Sequence, residues 1–294
     1  MKYAFYPGCV SKGGTPELYE ATVKVAEKLE FELEEMKDVG CTGAGVLSRE
    51  ISDPINARTF AKAEMSNLPI MTICSTCQGV MTQAQHRLKD EEYRNYINSE
   101  FLSDEGLEYK GTVEIRHMLW AVVEDFGLER LKNIVVRSLE GLPVAHFYGC
   151  YLKRPPELMV PPEFEKTRKT ALEDVIEALG GKVVKSSGRG KCCGFPILTS
   201  NEANSLQMCG DHTIDAKEKG AVTLVTPCPL CHLELDGKQA DAAAYRGEDI
   251  NMPVLHLPQL IGLALGFTAK EMAMQRHLVS TGAVEEALGF EVKA

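Results

Sequence analysis

The stretch AVTLVTPCPLC, residues 221–231, closes an apolar, β-branched run with a C-x-x-C turn, and LPIMTICSTC, residues 68–77, does the same in the first half of the chain. A short uncharged run rich in Val, Ile and Thr reads as a buried strand. Two such strands, each ending in paired cysteines, raise the question of duplication, and the flanking text answers it. YAFYPGC (3–9) matches AHFYGC (145–150), VGCTGAG (39–45) matches KCCGFP (191–196), and RHMLWAVVEDFG (116–127) matches LHLPQLIGLALG (255–266). The cysteines fall into the same step: Cys9, Cys41, Cys74 and Cys77 first, then Cys150, Cys192, Cys193, Cys228 and Cys231, with Cys209 alone outside the series. The chain therefore reads as two copies of one unit. Their spans are 1–140 and 141–294, with the boundary in or after LERLKNIVVRSLEG.

Each copy carries the same coarse pattern. KYAFY (2–6), PIMTI (69–73), PVAHFY (143–148) and VTLVT (222–226) are β-rich runs that precede cysteines. Between them lie helical stretches. TPELYEATVKVAEKLE (15–30) has Thr15 and Pro16 as a start signal, with Leu18, Val25 and Leu29 along one stripe. EFEKTRKTALEDVIEALGG (163–181) plays the same part in the second copy and stops at Gly-Gly. Alternating strands and helices predict an α/β fold. It is made of two pseudo-symmetric repeats, each a small, mainly parallel sheet with helices and with cysteines at the strand C-terminal ends. Ligands of open α/β sheets bind at that edge, so the pattern predicts two sites facing each other across a pseudo-twofold axis.

Bulk properties narrow the function. The 294 residues are 44% hydrophobic and 25% charged, an ordinary globular composition. A net charge of −10 argues against a nucleic-acid partner, which needs a basic face. Met1-Lys2 runs straight into YAFYPGC without the apolar core of a secretory leader. The longest apolar candidate, LIGLALGF (260–267), is far below the ~20 residues of a membrane span. The expectation is a cytoplasmic chain whose thiols stay reduced, so ten cysteines read as metal ligands.

The vicinal pair Cys192-Cys193 sharpens this. Neighbouring side chains in an extended segment point to opposite faces, so one tetrahedral zinc is not the natural target of both. A C-x-x-C pair alone serves zinc, a redox dithiol or a cluster. A thioredoxin-like reading leaves the other matched cysteines unexplained. The second copy reads C-x41-CC-x34-C-x2-C, and five converging thiolates exceed the needs of one zinc but suit an iron–sulfur centre with several irons. Gly190 and Gly194 let the backbone approach such a centre.

KCCGFP and TPCPLCHLELD, repeated in weaker form in the first half, resemble the cysteine-rich CCG-domain family. It includes the B subunit of heterodisulfide reductase, the E subunit of some succinate or fumarate reductases, and the B subunit of sulfur-oxidising heterodisulfide-reductase-like complexes. The resemblance covers nearly the whole chain. It implies a noncubane [4Fe-4S] centre on Cys150, Cys192, Cys193, Cys228 and Cys231, which would also be the catalytic set. It implies an oxidoreductase subunit that reduces or oxidises a disulfide, thiol or persulfide, the substrate being free or protein-bound. The first copy departs from the pattern: Cys41-Thr42 stands where the family has two cysteines. Cys9, Cys41, Cys74 and Cys77 then suit a [4Fe-4S] or [2Fe-2S] cluster, with zinc the alternative.

The chain has no G-x-G-x-x-G that follows a strand and opens a helix, and no compact ferredoxin run. Electrons must therefore be exchanged with flavin- or iron–sulfur-bearing partner subunits. A second hypothesis is an electron-relay and membrane-attachment subunit between a flavoprotein and a quinone, with no sulfur substrate. Other residues carry plainer readings. Cys209 reads as a buried structural thiol, and His117 and His256 read as a repeated structural hydrogen bond. His146 reads as packed, and His232 as a candidate for tuning or proton delivery. Arg189, Lys191, Lys153 and Arg154 either orient an anionic substrate or are solvated loop charges. MPVLHLPQLIGLALGF (252–267) is either core or a docking face for a membrane or partner.

Overall fold

The computed structural model describes residues 1–290, so 291–294, the end of the second unit's span, lie outside the described residues. Among the described residues, eight short strands form two sheets. β1 (Lys2–Tyr6), β2 (Glu32–Glu35), β3 (Ile70–Thr72) and β4 (Ile115–His117) are arranged in the order β2-β1-β3-β4. β5 (Pro143–His146), β6 (Lys182–Val184), β7 (Thr223–Thr226) and β8 (Val254–His256) repeat that order as β6-β5-β7-β8. Every pairing is parallel. The registers repeat as well: β1 sets Phe5 opposite Met71, and β5 sets Ala145 opposite Leu224. The expected α/β architecture of two repeats is what the chain adopts.

The apolar runs became the buried strands, because a parallel sheet with helices on its faces is shielded from water on both sides. β3, β7 and β8 are buried at every position. Four strands were not anticipated. β2 is Glu-Leu-Glu-Glu, a poor strand former held at the sheet edge by its pairing with β1. Lys2 also pairs with Glu32 and Glu34, both at 3.2 Å. β4, β6 and β8 are three residues each, too short for a period to be legible.

One expectation needs correction. The helix expected over 163–181 breaks into Glu165–Arg168 and Ala171–Ala178. Arg168 is drawn across to Glu124, with Nε 2.7 Å from Oε1 and a terminal nitrogen 3.0 Å from Oε2. After the break, the Leu172 N–H donates to the Tyr148 hydroxyl at 2.8 Å, which a continuous helix would have kept for itself.

The halves are packed together rather than strung apart. The helix Leu257–Ala264, buried at all eight positions, lies against the helix Pro16–Lys28 of the first half. The apolar 252–267 segment is thus core. Among the described residues no helix is long and apolar enough to cross a membrane.

Candidate metal centres

The strand order dictates where ligands gather. From β1 the chain moves to one side to make β2 and then crosses back to make β3, so the crevice beyond β1 and β3 is a switch point; β5 and β7 make the second. Cys9 follows β1 and opens the short helix Cys9–Gly13, while Cys74 and Cys77 follow β3. Cys74 caps the helix Ser75–Arg87, its Sγ accepting the Cys77 N–H at 3.4 Å. Cys41 arrives from the loop after β2, with its Sγ 3.6 Å from that of Cys9. All four cysteines line one cavity of about 20 Å³. Thr42 is buried where the family would place a fifth sulfur, and its hydroxyl donates to Cys77 Sγ at 3.6 Å.

The second crevice is roomier. Cys150, Cys193, Cys228 and Cys231 line a cavity of about 210 Å³. Cys192 lies within hydrogen-bonding reach of both Cys150 and Cys193. Cys231 touches Cys193 and Cys228 in the same way. The close approach of backbone to sulfur repeats in both crevices. Gly8 and Gly149, each just before the first cysteine of its set, have φ of +81° and +71°. A methyl group on them would stand 3.4 Å from Cys77 Sγ and 2.9 Å from Cys231 Sγ, respectively.

The two crevices are contiguous. Cys74 and Cys228, from opposite halves, are within hydrogen-bonding reach of one another. Thr76 Oγ1 lies 3.6 Å from Cys228 Sγ, Ser75 Oγ donates to the Pro227 carbonyl at 3.1 Å, and His117 Nε2–H donates to the same carbonyl at 3.0 Å. Tyr151 is wedged across the seam, packed so closely on Gly79 that a methyl there would overlap its ring.

Such crowding has an electrostatic signature. Burial, and then the Cys41 sulfur, push the Cys9 thiol up to about 11. Hydrogen bonding to Cys228 holds Cys74 protonated, and hydrogen bonding to Cys192 and to Cys193 does the same for Cys193 and Cys231, respectively. Cys192 is driven the other way, because Cys150 and then Cys193 donate to it. Thiols packed this tightly cannot all ionise without a cation among them. An all-sulfur donor set selects thiophilic metals and iron–sulfur clusters over hard cations. The residues present therefore fit such a group in both crevices.

The surrounding residues sort themselves out. Arg189 is committed to Glu173 and, at 2.7 Å, to the Lys169 carbonyl. Lys153 donates to the Arg168 and Lys169 carbonyls at 2.8 and 3.0 Å, and burial brings its ammonium down to about 8. Arg154 donates to the Gly190 carbonyl at 3.2 Å, and His212 Nε2–H to the Cys192 carbonyl at 2.8 Å. Arg154 and His212 brace the loop that carries the vicinal pair, Arg189 ties that loop to Lys169 and Glu173, and Lys191, next to Cys192, is exposed. His117 caps the helix that follows it, its Nδ1 accepting the Leu119 N–H at 3.0 Å, and His256 occupies the equivalent cap. His256 Nε2 reaches across to Glu17 Oε1 at 3.1 Å. His232 stacks on His256 with ring centroids 3.8 Å apart and donates to the Val254 carbonyl at 2.9 Å; His277 Nδ1 stands 3.4 Å from it. Glu17, His277 and Tyr151 were missed by sequence reasoning, since nothing local distinguishes them. His146 is packed 3.3 Å from Glu173, and Cys209 is buried with its thiol donating to the Glu234 carbonyl at 3.3 Å.

With this geometry in hand, the chain belongs to the cysteine-rich domain (CCG) family, whose model matches residues 3–82 and 144–236. It is similar to the 8-methylmenaquinol:fumarate reductase membrane anchor subunit of Wolinella succinogenes, at 37% identity over 95% of this chain and 97% of that protein. It is also similar to the B subunit of the ferredoxin/F(420)H(2)-dependent CoB-CoM heterodisulfide reductase of Methanosarcina acetivorans, at 29% identity over 95% of this chain and 94% of that protein. An Archaeoglobus profundus protein, named for its likeness to the B subunit of heterodisulfide reductase, matches at 29% identity over 93% of each chain. The relatives are thus subunits of redox complexes. A hypothetical protein from Helicobacter pylori, solved by crystallography, shares the fold with a TM-score of 0.74 at 15% identity. The match covers 95% of this chain, which spans about half (52%) of that solved chain.

Proposed function

We propose that this chain is the iron–sulfur subunit of a multi-subunit cytoplasmic oxidoreductase of the heterodisulfide reductase B type. The observation that carries the reading is the convergence of sulfur donors at two contiguous crevices, five from one half and four from the other. In this reading Cys150, Cys192, Cys193, Cys228 and Cys231 hold a noncubane [4Fe-4S] centre in unit 141–294. Cys9, Cys41, Cys74 and Cys77 hold a [4Fe-4S] or [2Fe-2S] cluster in unit 1–140. When bound, the second centre supplies the one-electron chemistry with which a disulfide, thiol or persulfide is reduced or oxidised; each disulfide bond takes up two electrons and two protons to become two thiols.

The chain's own residues prepare that chemistry. Cys9 and Cys41 are exposed, which suits electron exchange with a flavin- or iron–sulfur-bearing partner subunit at the first centre. Cys74 beside Cys228 keeps the path to the second centre short. Thr76 and Thr42 offer hydroxyls to Cys228 and Cys77 sulfurs, favouring the more negative state of each. Arg154 and His212 hold the vicinal-cysteine loop by its carbonyls.

A second reading, an electron relay and peripheral membrane attachment subunit without a sulfur substrate, draws on the relative named a membrane anchor subunit. Within either reading the first crevice, at about 20 Å³, also suits a single zinc ion. The experiment is iron, acid-labile sulfide and zinc on anaerobically purified protein, with EPR before and after thiol addition. Iron beyond one four-iron centre, no zinc and a thiol-dependent signal support the proposal. Four irons with one zinc make the first centre a structural staple. A signal blind to thiols favours the relay, and iron-free protein after reconstitution refutes both.

A further inference from the structure

We infer that the substrate reaching the second centre presents an uncharged, apolar end to it; this rests on reading that centre as the working one. Beyond its cysteines, the 210 Å³ cavity is walled by Ala44, Val46, Phe195, Pro196, Leu198 and Leu230. Its polar groups are hydroxyls, those of Ser75, Thr76, Thr199 and Tyr151. Two of these are already engaged, Ser75 with the Pro227 carbonyl and Thr76 with Cys228. Among the described residues lining it there is no Lys, Arg, His, Asp or Glu.

The cations that flank the vicinal pair in sequence do not make good this absence. Arg189 is taken by Glu173 and the Lys169 carbonyl, Lys153 by the Arg168 and Lys169 carbonyls, and Arg154 by the Gly190 carbonyl, while Lys191, beside Cys192, is exposed and does not line the cavity. A sulfonate, phosphate or carboxylate moving in beside the centre would shed its water and find no side-chain cation to pair with, which is unfavourable. A hydrocarbon moving in loses nothing polar and covers apolar wall. The mouth has the same character. Val46 lines the cavity and is 72% exposed, so an apolar side chain stands at its solvent-facing edge. The walls come from both halves, Ala44 and Val46 from the first and Phe195, Pro196 and Leu198 from the segment after the vicinal pair. The pocket's polarity is therefore a property of the assembled chain.

The test uses the anaerobically purified full chain with its iron centres, followed by EPR of the oxidised protein. It is titrated with 1-propanethiol and, separately, with 3-mercaptopropane-1-sulfonate, thiols of matched length that differ in charge. The neutral thiol is expected to reach half-effect at a concentration at least about tenfold lower, equivalent to about 1.4 kcal/mol. Val46→Lys, at an exposed position with iron content as the check on folding, is expected to narrow that ratio at least about threefold. A sulfonate that acts at equal or lower concentration, or a ratio untouched by Val46→Lys, overturns the inference. If both thiols are silent while 2,3-dimethyl-1,4-naphthoquinone perturbs the signal and 1,4-naphthoquinone-2-sulfonate does not, the apolar end stands and the sulfur chemistry falls. If all four are silent with the centre present, both are refuted.

Discussion

Replacing Gly149 with alanine sets a methyl carbon 2.9 Å from Cys231 Sγ, whereas Gly8→Ala sets one 3.4 Å from Cys77 Sγ. The two glycines are equivalents in the repeat, and both have positive φ. Each variant bears a backbone cost of its own, about 1–3 kcal/mol, Gly8 having ψ of 158°, outside the left-handed α well; iron content, not stability, is the readout that compares the sulfur contacts. A carbon at 3.4 Å is in ordinary contact, so Gly8→Ala asks nothing of Cys77. At Gly149 the sulfur must retreat by about 0.5 Å to reach the same separation. Metal–thiolate distances tolerate only about ±0.2 Å, and Cys231 is backed by Cys193 and Cys228, which block an easy retreat. Gly149→Ala is therefore expected to lose the iron and sulfide of one centre, while Gly8→Ala keeps the wild-type content. Both should also lose about 1–3 kcal/mol in urea denaturation. Metal and sulfide analysis with EPR spin counting on the pair decides the matter. Equal iron loss in the two variants, or full iron in Gly149→Ala, would refute the reasoning.

Cys209→Ala should retain all iron and sulfide and lose only about 1 kcal/mol of stability, the worth of its hydrogen bond to the Glu234 carbonyl; iron loss would make Cys209 part of a centre. Thr76→Val removes the hydroxyl beside Cys228 Sγ, and since that hydrogen bond favours the reduced state, the second centre's potential should fall by roughly 40 mV, the one-electron equivalent of about 1 kcal/mol; a redox titration followed by EPR reads it, and an unmoved or raised potential counts against the contact. Burial holds His117 and His277 down to about 4, against 6.5 when unfolded, so below pH 6.5 the unfolded chain binds the extra protons. Stability is then lost as pH falls from 6.5 toward 4, by about 2 kcal/mol per histidine at pH 5. Urea midpoints at pH 7 and pH 5 on wild type and His277→Gln test this, with the variant expected to remove one share of the drop. The difference between the two profiles is the readout because Asp236, raised by burial to about 6, gains stability over the same window; a His277→Gln profile parallel to wild type would contradict the neutral, buried state.

Much of this molecule is written locally. Apolar β-branched runs before each C-x-x-C became β3 and β7, because a buried parallel strand has to be apolar on both faces. Thr15-Pro16 opened its helix, since proline's fixed φ and missing N–H suit a first turn. The matched cysteines arrived at matched strand ends, because a repeated order of elements carries its connecting loops to the same edge. What stayed illegible involves neighbours far apart in the chain. Glu32–Glu35 is a strand only because β1 offers it a partner. The break at Lys169-Thr170 comes with Arg168 reaching Glu124 in the other half.

The sequence by itself determined the duplication, the parallel α/β class and the two matched sets of cysteines, since spacing, periodicity and residue chemistry are properties of the chain before it folds. Only the tertiary structure decided that Cys74 meets Cys228, that Glu17 meets His256, that Tyr151 wedges against Gly79, and that none of the flanking cations lines the apolar cavity. Each of these depends on how the two halves dock. Docking is governed by the complementary shapes of whole surfaces, and no local pattern of residues records them.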